Sequence, residues 1–309
     1  SIMASFTPAT DIPDLSGKVI FITGGNTGLG KEAALQLAKH KPAHIFIGSR
    51  SKERGLAAIA DIVAAVPNAT LTVVQMDLAS LSSVHSAAKQ FLASSSRLDI
   101  LMNNAGIMAV PPGLTADGYE IQFGTNYLGH ALLTKLLLPT MLKTAQEPGS
   151  DVRIVTLSSK GHQRGRPQVG IQFEELRSTM EATWTVRRYA QSKVANILHS
   201  KELARRYPEI TAVSLNPGIV RTGLQDALSR TSLLAKIILP IANMFASVGV
   251  EEGVCNQLWA ATSPDVKTGE YYEPVGKKAS GSEPARDMTL AGKLWQWTED
   301  ELADPKFKL

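Results

Sequence analysis

The sequence predicts a doubly wound, Rossmann-like α/β fold, in which a mostly parallel sheet of seven strands carries helices on both faces. Short β-branched, apolar runs alternate with longer helical stretches along the 309 residues, and connections of that length suit right-handed crossovers between parallel strands. The runs are apolar throughout, which is typical of strands that are covered on both faces. Because α/β chains of this length close around one core, we expect a single domain.

Six of the expected strands can be placed directly on the sequence. They are residues 19–23, 45–47, 71–76, 100–102, 152–157 and 212–215. The Pro- and Gly-containing stretch 274–284 is expected to be a surface loop. Within a single domain of residues 1–309, we expect the core at about 17–284, a lid at about 222–250 and a C-terminal helix at about 285–303.

Composition favours an intracellular enzyme over a secreted or nucleic-acid-binding protein. The net charge of +4 comes from a dispersed excess of Lys and Arg, whereas nucleic-acid-binding surfaces show clustered basic residues, so no nucleic acid partner is expected. Cys255 is the only cysteine and cannot form an internal disulfide, which fits a reducing compartment. Residues 1–16 contain Pro and Asp in place of the apolar run of a secretory signal. We therefore expect a cytoplasmic location.

The segment 233–250 is the strongest membrane candidate in the sequence. Lys236, Pro240 and Asn243 interrupt it, and a spanning helix needs about 20 predominantly apolar residues. We therefore expect no transmembrane segment and interpret this stretch as an apolar lid over a substrate pocket. Contact of the lid with a membrane surface stays open as an alternative, because apolar surface segments can lie in the lipid interface.

A glycine-rich loop follows the first strand and precedes a helical run. Its sequence is TGGNTGLG at 23–30, and glycines at such a turn let a pyrophosphate approach the free amides of the helix N-terminus. The loop predicts a dinucleotide site, although a bare glycine turn remains an alternative. The predicted cofactor-binding residues of the loop are Gly24, Asn26, Thr27, Gly28, Leu29 and Gly30.

The end of the second strand favours NADP over NAD. An acidic residue would bind the adenosine ribose hydroxyls there, but the chain has Ser49, Arg50 and Lys52, which offer a hydroxyl and two cations to a ribose 2′-phosphate. Alternatively, the two cations only solvate a helix start. After the third strand, Asp77 and Leu78 are placed to bracket the adenine, and Asp77 could equally be a helix N-cap.

Tyr189 and Lys193 lie four residues apart in a predicted helix, so both side chains lie on one face. A free phenol ionises near pKa ~10, and we expect Lys193 and an oxidised nicotinamide to lower that pKa. The phenol would then exchange a proton with a substrate oxygen. Because this spacing occurs by chance in many helices, the pair depends on its context.

That context is polar. Ser158 and Ser159 follow the fifth strand, where a serine can hold the substrate oxygen, and Asn126 falls inside a predicted helix, where an amide is unfavourable. Asn126 could be a buried amide that bonds backbone carbonyls, or could also hold a water that feeds protons to Lys193. The sequence has no His and Cys spacing suited to zinc, so no metal is expected.

Taken together, these motifs resemble the short-chain dehydrogenase/reductase family. They are TGGNTGLG at 23–30, NNAG at 103–106, SS at 158–159, YAQSK at 189–193 and PGIVRT at 217–222. The resemblance implies a catalytic set of Asn126, Ser159, Tyr189 and Lys193, in which Lys193 also holds the nicotinamide ribose and Ser158 is the less favoured serine. It further implies cofactor contacts from Asn104, Ala105 and Gly106 near the adenosine ribose and from Pro217, Gly218, Ile219 and Thr222 near the nicotinamide carboxamide.

Within that family, the stretches FGTNYLGH and ARDMTLAGKLWQWTEDEL resemble the retinol dehydrogenase and WW-domain oxidoreductase branch, which includes many fungal reductases. The sequence shows neither the membrane anchor nor the WW modules of that branch, which favours a ketone reductase of fungal secondary metabolism. The resemblance thus implies an NADP(H)-dependent oxidoreductase that reduces a ketone or aldehyde, or oxidises the matching alcohol. Residues 108–111 and the lid predict a medium-sized, largely apolar substrate.

Two other functions remain open at this point. The chain could be a non-catalytic, NADP-binding regulatory or scaffold protein, or a redox-neutral dehydratase or isomerase on the same fold. The resemblance also implies a homodimer, because two long helices packing across a dyad are the usual interface of the family.

Overall fold

Within the described residues, the sheet is mixed and has eight strands. The computed structural model describes residues 6–164, 170–217 and 249–309. The strands are β1 (Val19–Thr23), β2 (His44–Ser49), β3 (Leu71–Gln75), β4 (Ile100–Asn103), β5 (Arg153–Leu157), β6 (Thr211–Leu215), β7 (Tyr271–Tyr272) and β8 (Lys278–Ala279). Their order is β3-β2-β1-β4-β5-β6-β7-β8. All pairs are parallel except β7 with β8, which confirms the predicted doubly wound, single-domain fold.

The prediction of seven strands was wrong by one. β7 and β8 are two residues each, too short to produce an apolar run that a sequence pattern could show. β8 also lies inside 274–284, which was expected to be a loop throughout. Its pairing with β7 adds an antiparallel edge to an otherwise parallel sheet.

Helices connect the strands and flank the sheet. They are α1 (Pro8–Asp11), α2 (Gly28–Ala38), α3 (Lys52–Ala65), α4 (Leu81–Ser94), α5 (Ile121–Phe123), α6 (Gly129–Ala145), α7 (Gly161–Arg164), α8 (Thr185–Arg206), α9 (Val250–Gly253), α10 (Cys255–Thr262) and α11 (Met288–Glu301). One π-helical turn, Gly124–Leu128, joins α5 to α6. Single 3₁₀ turns are found at Phe173–Glu175, Pro284–Arg286 and Pro305–Phe307.

Alternate residues of β1, β2, β4, β5 and β6 enter two large apolar cores on opposite faces of the sheet. On one face, Phe21 and Phe46 pack with Phe91 of α4, and α6 and α8 complete this layer. On the other face, Ile20 and Ile22 belong to a core that includes α2 and α10. Because both faces are covered, every strand residue from Ile20 to Thr23 is fully buried. Apolar burial therefore extends up to the carboxyl edge of the sheet, where the polar residues begin.

The C-terminal helix α11 packs along α8 and α6. Trp295 stacks on His199 of α8 with ring centroids 5.5 Å apart, and Glu299 accepts a 2.6 Å contact from Lys135 of α6. The longest described helices are α6 and α8. Part of their outer face is covered by α11 of the same chain. A homodimer built on that face would have to displace α11, and the expected homodimer stays a prediction.

Across the described ranges, no helix is long and apolar enough to cross a membrane, and no group of three or more His, Cys, Asp or Glu side chains could hold a metal ion. The expected lid at 222–250 lies outside the described residues except for its last two. Gly249 precedes α9, and α9 packs against α2.

Candidate active site

The glycine loop turns sharply at the carboxyl end of β1. Gly24 and Gly28 have positive φ angles of +67° and +52°, a region that favours residues without a Cβ. α2 begins at Gly28, and within the described part of the chain the N-cap residue Thr27 makes no side-chain capping hydrogen bond. The first-turn amides of α2 therefore keep their capacity to bind an anion.

A second loop locks the glycine loop in place. Asn104, which follows β4, donates from Nδ2 to the carbonyl oxygen of Thr23 at 2.8 Å. A Cβ on Gly30 would contact the Gly24 carbonyl oxygen and lie 2.5 Å from Asn104 Nδ2. The NNAG segment and the glycine loop are thus in direct contact, as parallel strand ends at a topological switch point should be.

We expect Gly30→Ala to abolish dinucleotide binding, because the added methyl group has no space between the two loops. The dissociation constant of the Gly30→Ala variant for NADPH should rise by at least ~100-fold, since displacing packed backbone costs several kcal/mol. A fluorescence titration with NADPH measures this effect. Gly292→Ala in α11 is the matched control, because its Cβ would meet no described atom within 4 Å. Unchanged binding by the Gly30 variant would contradict the placement of the cofactor on this loop.

The predicted adenosine-end residues surround the carboxyl ends of β2 and β3. Ser49 is buried, and its hydroxyl donates to the carbonyl oxygen of Ser51 at 2.9 Å. Arg50 and Lys52 are exposed, and among the described residues the structure records no side-chain hydrogen bond or ion pair for either. Both cations therefore remain available to a ligand.

Asp77 does not cap a helix, so that alternative was wrong. The N-cap of α4 is Ser80, whose hydroxyl accepts from Ser83 N. The carboxylate of Asp77 instead accepts from the backbone N–H of Ala79 at 2.9 Å, within the loop after β3. Leu78 beside it is buried. The pair lies at the sheet edge next to the β2 end, where an adenine would be bracketed.

Ser159 and Tyr189 meet at the carboxyl end of β5. The Ser159 side chain interacts with the Tyr189 hydroxyl and lowers its pKa, and the Gly161 N–H donates to Ser159 Oγ at 3.0 Å. A Cβ on Gly161 would lie 2.8 Å from a Tyr189 ring carbon, so only glycine allows this approach. Ser158, in contrast, is buried and donates from Oγ to the carbonyl oxygen of Lys193, which turns it away from Tyr189.

Lys193 is buried beside the same phenol. Its Nζ lies 5.6 Å from the centroid of the Tyr189 ring and donates to the Leu157 carbonyl oxygen at 3.0 Å. Burial lowers the pKa of Lys193 to about 8, because a low-dielectric surrounding disfavours the ammonium. Its charge therefore titrates in the range in which an enzyme works.

The expected lowering of the phenol pKa is not found in the cofactor-free chain. Burial raises the pKa of Tyr189 to about 12, and the interaction with Ser159 only partly opposes this rise. Desolvation of the phenolate is the largest effect on this pKa, and it depends on how deeply the fold buries the ring. At neutral pH, Tyr189 is consequently a protonated acid that can donate to a substrate oxygen.

Asn126 lies in the π-helical turn, a local widening that is frequent at functional sites. Its side chain accepts from Ile107 N at 2.7 Å and donates to Ile107 O at 2.9 Å. It also donates to Ser192 Oγ at 3.0 Å. The alternative of a buried amide that bonds backbone is therefore realised, and Asn126 joins the segment after NNAG to α8.

The remaining predicted residues fall at the same edge or outside the described residues. A Cβ on Gly106 would lie 3.3 Å from Asn126 Oδ1 and 3.5 Å from Lys193 Nζ. The N–H of Ala105 donates to Thr23 Oγ1, and Pro217 is the second residue after the end of β6. Gly218, Ile219 and Thr222 lie outside the described residues.

Sequence reasoning missed a buried ion pair behind Tyr189. Arg188 and Glu120 side chains are 2% and 1% exposed and meet at 2.9 Å. Arg188 Nη2 also donates to the Val110 carbonyl oxygen at 3.2 Å, so the pair ties the first turn of α8 to the segment after NNAG. The one indication in the sequence was the position of Arg188 directly before Tyr189.

Comparisons with known proteins agree with this geometry. Residues 18–171 match the family model described as short chain dehydrogenase. The short-chain dehydrogenase/reductase drtF of Aspergillus calidoustus is 41% identical over 303 residues, which cover 94% of this chain and 95% of that protein. The fold and site define a Rossmann-type oxidoreductase class. The chain belongs to the short-chain dehydrogenase/reductase family.

Solved structures show the same architecture. A putative uncharacterized protein from Mycobacterium paratuberculosis superposes with a TM-score of 0.71 at 31% identity, over 97% of this chain and 98% of that one. The 3-ketoacyl-(acyl-carrier-protein) reductase from Brucella melitensis, solved with NADH, superposes with a TM-score of 0.63 at 24% identity. The superposition covers 83% of this chain and 96% of the reductase chain. At that identity, the second likeness concerns the fold alone.

Proposed function

We propose that the chain is an NADP(H)-dependent reductase of a medium-sized, largely apolar ketone or aldehyde, which can also oxidise the matching alcohol. The observation that carries the proposal is that the Tyr189 ring and Ser159 Oγ both lie against Gly161, beside the buried Lys193. These groups lie at the sheet edge that the glycine loop and the NNAG segment also occupy. A protonated phenol and a serine hydroxyl on one oxygen are what carbonyl reduction requires.

The residues present fit a nicotinamide dinucleotide. The positive φ angles of Gly24 and Gly28 shape the loop, and the uncapped first turn of α2 would bind the pyrophosphate. The adenosine end would be held by Ser49, Arg50, Lys52, Asp77 and Leu78. The nicotinamide end would be held by Lys193, through the ribose, and by Pro217, Gly218, Ile219 and Thr222. When bound, the reduced nicotinamide supplies the hydride to the carbonyl carbon.

The protein's own residues handle the proton. Ser159 Oγ holds the carbonyl oxygen, and Tyr189 donates its phenolic proton to that oxygen as negative charge develops there. One hydride at carbon and one proton at oxygen complete the alcohol. The ammonium of Lys193, 5.6 Å from the ring centroid, stabilises the phenolate that is left. The phenolate then regains a proton from solvent. The reverse sequence oxidises the alcohol.

Residues 108–111 supply part of an apolar wall. Ala109 is buried and held by a 2.8 Å hydrogen bond from its N–H to Gln122 Oε1, and Met108 and Val110 are half-buried beside it. Because these side chains offer no charge to a ligand, we expect apolar substrates to bind better than charged ones. A reducing, cytoplasmic location, a role in fungal secondary metabolism and a homodimer remain part of this proposal.

Cofactor choice is expected to depend on the two exposed cations after β2. The double variant Arg50→Ala, Lys52→Ala should lose roughly tenfold to a hundredfold in kcat/KM with NADPH, because charge-assisted hydrogen bonds contribute about 1.5–3 kcal/mol. Its kcat/KM with NADH should change little, since NADH lacks the 2′-phosphate. Initial rates with NADPH and with NADH give the ratio of the two kcat/KM values.

The double variant Lys89→Ala, Lys143→Ala is the matched control, because these are exposed cations on α4 and α6 and their loss changes the net charge by the same two units. An equal loss with NADPH and NADH would contradict the assignment of Arg50 and Lys52 to the phosphate. It would leave the role of Tyr189 untouched.

Consumption of NADPH over a library of ketones and aldehydes tests the proposed activity. We expect turnover of apolar ketones that requires Tyr189. Cofactor binding without any turnover would overturn the proposal in favour of a scaffold protein. A product of unchanged redox state, identified by its mass, would indicate a dehydratase or isomerase instead.

A further inference from the structure

His130 is a buried titratable residue on α6 that the proposed mechanism does not use. It lies one turn after Asn126 and is 3% exposed. Its Nε2 is 2.8 Å from Thr23 Oγ1, at the end of β1. Its Nδ1 is 3.0 Å from the backbone carbonyl oxygen of Asn126. The ring thus bridges the start of the dinucleotide loop and the turn that carries Asn126.

The hydrogen bonds of Thr23 determine which ring nitrogen carries the proton. Thr23 Oγ1 accepts from the N–H groups of Asn104 and Ala105 at 2.9 and 3.0 Å. A hydroxyl has two acceptor positions and one donor, so the Thr23 proton is left to donate. The closer acceptor is His130 Nε2 at 2.8 Å, while the Met102 carbonyl oxygen is 3.4 Å away.

His130 Nε2 is consequently an acceptor, and the ring proton is on Nδ1. From there it donates to the Asn126 carbonyl oxygen. A protonated ring would direct a second N–H at an oxygen whose acceptor positions are already used. Burial agrees with this neutral form, because it lowers the pKa of His130 to about 4.

The chain of hydrogen bonds continues from Asn126 to the catalytic helix. The Asn126 amide clamps Ile107 and donates to Ser192 Oγ, and Ser192 Oγ donates to the carbonyl oxygen of Tyr189 at 2.7 Å. One connected network therefore runs from the end of β1, through His130 and Asn126, to the backbone of Tyr189. Such networks hold their members in one arrangement when every member is satisfied.

We propose that His130 is a positioning residue that fixes the turn of Asn126 against Thr23 and thereby couples the dinucleotide loop to the helix that carries Tyr189. The inference rests on the proposed function for its effect on kcat. The Nδ1–H of His130 donates to the Asn126 carbonyl oxygen and so holds the Asn126 backbone. Its Nε2 accepts the Thr23 hydroxyl proton, which leaves the Thr23 oxygen free to accept from the two N–H groups of the NNAG segment.

A pair of equal-sized substitutions separates this role from simple packing. Leu and Asn have nearly the same shape, but only Asn can place an N–H donor where His130 Nδ1 lies. We expect His130→Leu to lower kcat by about tenfold, the order expected for one lost buried hydrogen bond, with a smaller rise in the dissociation constant for NADPH. His130→Asn should recover kcat to within about threefold of the wild type, because it restores the bond to the Asn126 carbonyl.

Thr23 provides the second arm of the test. Thr23→Ser keeps the hydroxyl and should bind NADPH like the wild type, whereas Thr23→Val leaves two N–H groups without an acceptor and should weaken binding by about tenfold or more. Equal kcat values for His130→Leu and His130→Asn at similar thermal stability would overturn the proposal, as would wild-type kcat in His130→Leu.

A ¹⁵N–¹H long-range spectrum of the histidine imidazoles in the wild-type protein reports the tautomer of His130. This measurement does not depend on the folding of any variant. We expect His130 as a neutral Nδ1–H tautomer that does not titrate between about pH 6 and pH 8, since its pKa lies well below this range. An Nε2–H tautomer would overturn the network. Failure of the proposed function would look different. The wild-type protein would then bind NADPH without turning over any carbonyl, while the tautomer of His130 and the NADPH affinities of the Thr23 variants would stay as expected here.

Discussion

Tyr189→Phe is expected to lower kcat for carbonyl reduction by roughly 10²- to 10⁴-fold, the usual contribution of a general acid. The phenol is buried, and its pKa of about 12 keeps the proton in place until negative charge develops on the substrate oxygen. The substitution removes one hydroxyl from a ring that is packed against Gly161. Binding of NADPH should therefore stay within about twofold of the wild type, since the packing of the ring is retained. Single-turnover rates and a binding titration separate the two effects.

Tyr207→Phe is the matched control, because Tyr207 directly follows α8, at the end of the helix far from Tyr189, and should retain full activity. Loss of activity in both variants would indicate a general defect. Full activity of Tyr189→Phe in every assay would contradict the acid–base assignment.

Lys193→Met is expected to abolish turnover and, at the same time, to stabilise the cofactor-free chain. Activity should decrease by roughly 10²-fold or more, since the phenolate loses the cation that lies 5.6 Å from its ring centroid. Methionine fills a similar volume, and the Leu157 carbonyl oxygen keeps a 3.0 Å hydrogen bond from Asn196 Nδ2. Removal of Lys193 therefore leaves no unpaired acceptor at that oxygen.

The gain in stability follows from the direction of the pKa shift. Lys193 has a pKa of about 8 in the folded chain, against 10.5 when unperturbed, so below pH 8 folding buries an ammonium at a cost of up to about 3 kcal/mol. As the pH rises from 8 to 10.5, the folded chain sheds this proton before the unfolded chain does, and wild-type stability rises. The advantage of Lys193→Met should hence be largest below pH 8 and should disappear toward pH 10.5.

Thermal unfolding of the cofactor-free protein, measured across this pH range, checks the prediction. Lys201→Met is the control on the same helix, because Lys201 is half-exposed and its loss should shift the melting temperature little. A Lys193→Met variant that is less stable than the wild type at pH 7 would show that the ammonium is stabilised in the folded chain.

The fold was largely predictable because its strands are buried on both faces. Continuous apolar runs located β1 through β6 to within one or two residues. β7 and β8 escaped because two-residue strands carry no pattern, and their pairing depends on tertiary contacts with β6. The packing of α11 on α8 also depends on distant partners, such as Trp295 with His199.

Parts of the candidate site were predictable for a different reason. Polar residues and glycines interrupt the chain just where the strands end, and this contrast led to Gly24, Asn104 and Ser159, whereas Asn126 stood out as an amide inside a predicted helix. The direction of the Tyr189 pKa shift was not predictable, because it depends on how completely the fold buries the phenol. Thr23 and His130 were missed, although a polar residue ending an apolar strand and a His four residues after Asn126 were visible in the sequence.

Transfer of deuterium from NADPH that carries two deuterium atoms at C4 tests the central claim most directly, because either face of the ring then delivers the label. The protein, incubated with an apolar ketone identified in the library, should give an alcohol with one deuterium at the carbinol carbon, and Tyr189→Phe should give almost none in the same time. An alcohol without deuterium, or equal transfer by wild type and Tyr189→Phe, would contradict hydride transfer assisted by Tyr189.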